Sequence, residues 1–300
     1  LFERHEAAMR RGVWIGDNFP RLMPNLGPEL YATLFGCDLE FGERTSWSIP
    51  ACPSCREILD LRPNVDNPYW QWVREATHQS LQRGQGRWIT ALPDLHPNGD
   101  LLASLRDPEA LAIELADDIE GVRAACDHTA TFFPMIYDDL WAPIRAAGQP
   151  ATTWTPCLHA GSYYVPSCDF ICMISEDMFR RTILPAIAAE TEYLERSIFH
   201  LDGPDALRHL DALLELDALD GVQWIYGAGA GPAADWIDVY RRIQDAGKCL
   251  QLVGETAEDT RAVAEHLRPE GVWLMPGGQF EPDEAEAFLQ WSERWAAGTS

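Results

Sequence analysis

An α/β fold, specifically a (β/α)8 barrel of the TIM type, is what this sequence predicts, and three observations carry the prediction. Four strand-then-helix units follow one another in the second half, their strands beginning at 197, 221, 249 and 271, roughly 22 to 28 residues apart. Each strand is apolar nearly throughout and leaves through glycine or proline, as strands covered on both faces of a parallel sheet do. The length of 300 residues suits one barrel, since such domains typically run to about 250 residues as a single unit.

Taken in chain order, the first half is the less regular. Val13–Asp17 and Arg87–Pro93 are strand candidates that end in polar or proline-containing loops. The chain begins at Leu1, so the first strand is expected near 13–17 or upstream of residue 1. A long helical region is expected from about Pro108 to Ala147, broken near Pro134. Thr152–Thr155 and Ser162–Val165 flank Ala160-Gly161, which predicts an inserted hairpin near 152–166. Asp169–Ile174 reads as a further buried strand, followed by a helix from about Met178 to Arg196.

The second half has the clearer rhythm. The strand Ser197–Gly203 leads into a helix with Pro204 near its first turn and Leu207, Leu210, Leu213 and Leu214 on one face. Gly221–Gly227 precedes a helix through Trp236, Ile237, Tyr240 and Ile243, closed by Gly247. Cys249–Gly254 precedes a helix opened by Thr256, with Asp259 at capping-box spacing. Gly271–Pro276 leads to a last helix carrying Phe288, Leu289 and Trp295. Right-handed crossovers between such units make the sheet parallel. With at least seven strands counted, a closed barrel occupying residues 1–300 as a single domain is expected.

Charge narrows the function. Against 47 Asp and Glu stand 23 Lys and Arg, only Lys248 being lysine, for a formal charge of −24. Such a surface repels phosphate, and the densest basic groups are the pairs Arg10-Arg11, Arg180-Arg181 and Arg241-Arg242. Nucleic acid and anionic membrane are therefore excluded as partners. No run approaches the ~18 apolar residues of a membrane span, and the first 25 residues carry no signal-peptide core. Eight cysteines are too sparse for a disulfide scaffold, so a cytoplasmic location is expected. Cys52-Pro-Ser-Cys55 has zinc or redox spacing, but no second CxxC follows, and Pro50 and Pro53 suggest a surface loop. No GxGxxG follows a strand, and Gly227–Gly231 reads as an exit loop, which argues against a dinucleotide fold.

The order of several short motifs carries a resemblance: Gly16-Asp-Asn18, Leu26-Gly27, Pro93-Asp94, Asp169-Phe-Ile171, His200-Leu-Asp-Gly203 and Val222-Gln-Trp224. From about Trp14 to Gly278 the chain resembles the uroporphyrinogen decarboxylase-like superfamily, which includes that decarboxylase and cobalamin-linked methyltransferases. The resemblance implies a (β/α)8 barrel with its site at the C-terminal ends of the strands. Two departures matter. The decarboxylase's arginine-rich N-terminal loop has no counterpart, and the last strand exit, Met275–Gln279, carries no His. Asp17 would match the family's pyrrole-binding aspartate, but a polyanionic porphyrinogen needs positive charge that this chain lacks. The methyltransferase branch holds zinc with a His-x-Cys pair and a later Cys, and zinc there acidifies a thiol. Here the pair is His200-x-Asp202, and no Cys follows Cys249. A His with carboxylates still suits zinc or another divalent ion, and an oxygen-richer set favours activating water or hydroxyl over thiol.

The candidate site follows from strand geometry. Alternate residues of a strand share a face, so His200 and Asp202 point the same way and are the expected catalytic pair and metal ligands, with Asp17 the third catalytic candidate. Asp94 and His96 follow Pro93 at another strand exit. Trp154 and Trp224, near exits, can stack on a ring, a sugar or a cationic group. His159, Tyr163 and Tyr164 lie on the expected hairpin over the site. Asp169, at a strand start, is assigned a structural role. These residues describe a pocket for a small neutral or cationic substrate. The leading expectation is a methyltransferase-like enzyme, working with a corrinoid held by a partner protein. The alternatives are a carbohydrate-active hydrolase or lyase using paired carboxylates, and a non-catalytic binding or corrinoid-associated component.

Overall fold

The computed structural model describes residues 2–12, 14, 16–43, 45–227 and 229–298. Nine strands occur among them: β1 (Arg21–Leu22), β2 (Asp38–Phe41), β3 (Ser46–Ile49), β4 (Ile89–Thr90), β5 (Tyr163–Tyr164), β6 (Arg196–Asp202), β7 (Gly221–Ile225), β8 (Cys249–Gly254) and β9 (Val272–Pro276). Strands β5 to β9 form a five-stranded parallel sheet in chain order, β1 and β4 a short parallel pair, and β2 and β3 an antiparallel ribbon. The architecture is mixed α/β, and no helix among the described residues is long and apolar enough to cross a membrane.

The parallel sheet follows directly from the apolar runs. Phe199 and Leu201 of β6 stand in register with Val222 and Trp224 of β7, and these with Leu250 and Leu252 of β8. All six are buried, and Trp224 meets Trp236, at the start of the next helix, with ring centroids 5.3 Å apart. Helices Ile237–Asp245, Ala257–Ala264 and Pro282–Ala296 follow β7, β8 and β9, as the periodicity predicts. Strands β7 and β8 lie so close at Gly221 that an added Cβ would come 2.8 Å from the Cys249 carbonyl oxygen.

The opposite face of the sheet is polar. His200, Gln223 and Gln251 stand side by side across β6, β7 and β8, in one row of the register.

Several expectations need correction. Of the strand expected at 13–17, Val13 and Ile15 lie outside the described residues, while Gly16 and Asp17 form a turn and the first described strand is β1. The hairpin near 152–166 is not formed as such. Ala151 and His159 make an isolated antiparallel bridge, but Tyr163-Tyr164 joins the parallel sheet beside Arg196-Ser197. Tyr137 explains this choice: its hydroxyl donates to the Tyr163 carbonyl and accepts from the Tyr163 amide, both at 3.0 Å, satisfying the backbone that a hairpin partner would have paired.

Asp169–Met173 is a 3-10 helix rather than a strand, because the Asp169 and Phe170 amides are taken by the Asp100 carboxylate. The helix expected from 178 to 196 is two, Glu176–Thr182 and Leu184–Tyr193, parted where Pro185 cannot donate. The region 108–147 is three helices, with Asp118 capping the second and Pro134 opening the third. Cys52 and Cys55 are buried, not in a surface loop, and burial raises both thiols, Cys55 to about 12. The ribbon β2–β3 was not expected.

Replacing Tyr137 by Phe leaves two buried backbone groups of Tyr163 without partners, which should cost roughly 2 to 4 kcal/mol. Urea unfolding of Tyr137→Phe measures this, and a loss under about 1 kcal/mol would mean that the hydroxyl does not hold β5.

Candidate functional site

Strand β6 carries the centre of the site. Its burial alternates residue by residue, so His200 and Asp202 emerge on the polar face together. Gly203 then turns the chain with φ of 81°, where a side chain would be strained, while its amide still bonds the Ile225 carbonyl at 2.8 Å. The strand is thereby hydrogen-bonded to its last residue. His200 is fixed further by its backbone bond to Pro166 and by the edge of its ring against the Trp154 indole, 4.9 Å away at 90°.

A second element brings in a residue that the sequence did not single out for chemistry. The helix Gly99–Arg106 is capped by Asn98, which places Asp100 in its first turn. Asp100 accepts the Asp169 amide at 3.0 Å and the Phe170 amide at 2.9 Å, fixing the start of the 3-10 helix. The Asp169 carboxylate then stands beside β6. One donor atom each from Asp169, His200 and Asp202 lie within 4.8 Å of one another, a grouping able to hold a metal ion. His200 Nε2 and Asp202 Oδ2 are 4.0 Å apart, too far for a direct hydrogen bond. Desolvation and the nearby Asp100 raise the Asp169 carboxyl above the ordinary carboxylate range.

The other nitrogen of His200 faces the interior. Nδ1 contacts Gln223 Oε1, Gln223 Nε2 donates to Gln251 Oε1 at 2.8 Å, and Gln251 Nε2 donates to Met275 Sδ at 3.0 Å.

Beneath this centre lies a buried network. His96 Nδ1 lies 3.2 Å from both Asp100 Oδ2 and Ser167 Oγ. Burial opposes protonation of His96, but the hydrogen bond and charge of Asp100 outweigh it and raise His96 to about 9. Asn98 donates to Glu190 Oε1 at 2.9 Å, and desolvation raises Glu190 to about 8, so this carboxyl is buried in its neutral form. A cavity of about 440 Å³ opens beside the network, touched by Tyr31, Trp47, His96, Asp100, Asp169 and Phe170. A larger hollow of about 730 Å³ lies at the entry of β4, around Trp88 and Gln149. The three-donor cluster adjoins the smaller one through Asp169.

The sequence-derived candidates divide. His200, Asp202 and Trp154 come together. Asp94 accepts from Asn25 at 2.6 Å, tying the exits of β1 and β4, and its charge reaches His96. Asp17 is an exposed turn residue whose charge reaches the Cys157 thiol; among the described residues no hydrogen bond or ion pair joins it to His200 or Asp202. His159 Nδ1 accepts from the Gly161 amide and shapes its own loop. Tyr163 and Tyr164 are buried: Tyr163 meets Thr155, and Tyr164 donates to Pro93 O, bracing the segment that leads to Asp94 and His96. Trp224 is buried on the helix-facing side of β7, away from His200.

Sequence reasoning missed Asp169, Asp100, Gln223 and Gln251. A signal existed for the amides, since a glutamine in the middle of an otherwise apolar strand demands a partner. Asp169 was assigned a structural role, and nothing local tied it to Asp100, 69 residues away.

Glu190 and His96 give stability a definite pH dependence. Both have native values raised above their unfolded ones of 4.5 and 6.5, so their contribution is complete at low pH and lost as pH rises to about 8 and about 9 respectively. In Glu190→Gln, denaturant stability should fall less between pH 5 and 8 than in the wild type. Parallel curves would show that Glu190 does not carry the proton.

No family model and no curated protein matches the sequence. Among solved structures the chain is similar to a methyltransferase from Methanosarcina mazei, with a TM-score of 0.61, 12% identity, and coverage of 92% of this chain and 80% of that one. At that identity the likeness is one of fold.

Proposed function

We propose that the chain is a metal-assisted group-transfer enzyme of the methyltransferase-like kind, on a closed uroporphyrinogen decarboxylase-like (β/α)8 barrel, acting on a small neutral or cationic substrate. The observation that carries the reading is the convergence of Asp169, His200 and Asp202 at one strand exit. The barrel reading is supported by a chain of contacts outside the five-stranded sheet: β1 pairs with β4, and Leu92 beyond β4 donates to Thr152 at 2.9 Å. Counting that segment with β1, β4 and β5 to β9 makes eight staves. The fold of the Methanosarcina methyltransferase supports the same reading.

The donor set fits a divalent ion. Two carboxylates and an imidazole suit zinc or another divalent metal that accepts mixed oxygen and nitrogen donors. A third carboxylate, Asp100, lies close enough to raise Asp169, so the site concentrates negative charge that a cation would neutralise. When bound, such an ion would acidify a coordinated water, hydroxyl or thiol. His200 and the two aspartates would hold it, Trp154 would wall one side, and Asp94 and His96 would line the approach. An acidic, arginine-poor site favours a neutral or cationic methyl donor. A corrinoid carried by a partner protein is the acceptor we propose.

A second reading rests on the Asp169 and Asp202 carboxylates alone. Their proximity resembles the roughly 5 Å pairing of retaining glycosidases.

Elemental analysis of the purified protein discriminates. About one zinc or other divalent ion per chain, lost in His200→Ala and weakened about 10-fold or more in Asp169→Asn, supports the metal reading. Metal-free protein that hydrolyses aryl glycosides in the presence of chelator would replace it with the second.

A further inference from the structure

The row from His200 to Met275 has a direction, and that direction determines which nitrogen of His200 carries its proton. A primary amide has a donor end and an acceptor end, so amides aligned across a sheet must run head to tail. Gln223 and Gln251 are 2% and 1% exposed, so water cannot supply a substitute partner. Two directions are open to such a row, and the groups at its ends decide between them.

At the far end stands a thioether. Met275 lies two residues beyond Trp273, the residue opposite Gln251, on the same face and at a diagonal that a long side chain spans. Its sulfur accepts hydrogen bonds weakly and donates none. With the Gln251 amide nitrogen turned to Sδ, every group has a complement: Gln251 Oε1 accepts from Gln223 Nε2, and Gln223 Oε1 then requires a proton from His200 Nδ1. The reverse direction sets Gln251 Oε1 against Sδ, two acceptors with no proton between them. The bonded direction leaves Nε2 of His200 without a proton, and its lone pair faces Asp202 Oδ2 at 4.0 Å.

We propose that Met275, Gln251 and Gln223 are positioning residues that hold neutral His200 in its Nδ1–H form and keep Nε2 free to coordinate a cation. The consequence for coordination rests on the metal reading above, whereas the tautomer itself does not.

The decisive variant is Met275→Lys, at a partly exposed position where the new ammonium can only donate. A donor at that point turns Gln251 Oε1 toward it, then Gln223 Oε1 toward Gln251, and presents the Gln223 amide nitrogen to His200. The ring must then accept at Nδ1 and carry its proton on Nε2. Met275→Leu removes the acceptor without adding a donor and should give a mixture of the two forms.

Long-range proton–nitrogen correlation spectra of metal-free protein labelled with 15N-histidine read the tautomer directly. They are recorded where the His200 ring is neutral and assigned by comparison with His200→Gln, and near-ultraviolet circular dichroism checks the fold of each variant. The expected result is Nδ1–H in the wild type, Nε2–H in Met275→Lys and a mixture in Met275→Leu. In calorimetric titration with zinc, Met275→Lys should bind about 10- to 100-fold more weakly although no donor atom has changed. An Nε2–H wild type, or one tautomer throughout folded variants, would overturn the proposal. The expected tautomers with no zinc uptake by any form would leave the positioning intact and defeat the metal reading alone.

Discussion

The candidate site depends on one carboxylate that is not a member of its three-donor cluster. Asp100 accepts two consecutive backbone amides, at Asp169 and Phe170, and contacts the His96 imidazole. Without it the apolar run Phe170–Ile174 would have backbone donors free to pair as a strand, and the Asp169 side chain would leave β6. A buried carboxylate with this many donors remains charged, and hydrogen bonds to charged groups contribute about 1.5–3 kcal/mol each. Asp100 therefore selects a local structure against the propensity of the residues it binds.

Such a charge in the interior needs surroundings that tolerate it. His96 balances it, and both residues sit beside Asn98, whose side chain accepts at the helix N-terminus and donates to Glu190 and Ser167. Glu190 accommodates burial in the opposite way, by keeping its proton. Two carboxyls on one network are thus held in opposite states, Asp100 by several donors and the His96 charge, Glu190 by a desolvation that its one bond from Asn98 does not offset. The apolar side of the sheet shows the same economy of partners: Tyr137 and Tyr164 each use a single hydroxyl to satisfy two backbone groups.

The second half of the fold was legible because its strands are local apolar runs bounded by glycine, and β6 to β9 fall within two residues of where the pattern puts them. His200 and Asp202 were legible for the same reason, since a period of two fixes their common face. The first half was less so. β1, β4 and β5 are two residues each, too short for any period, and their pairing is imposed by distant groups such as Tyr137. Asp169 was read as the start of a strand because its neighbours have β-branched and aromatic character. Only the arrival of Asp100 from another helix makes it part of the site. Trp224 was placed near the site as an aromatic near a strand exit, and Tyr163 and Tyr164 as part of an expected hairpin over it; parity and burial assign them to the core.

The hydrogen-bonded row from His200 through Gln223 and Gln251 to Met275 crosses four adjacent strands, in register as far as Gln251 and diagonally to Met275. Such a row is a mechanical tie. Sliding any one of β6 to β9 along its neighbours would break side-chain bonds as well as backbone ones, and Gln223 and Gln251 are too buried for solvent to replace theirs. The sheet under the site is therefore stiff in shear. The β2–β3 ribbon, which the row does not cross, sets Trp47 against the cavity.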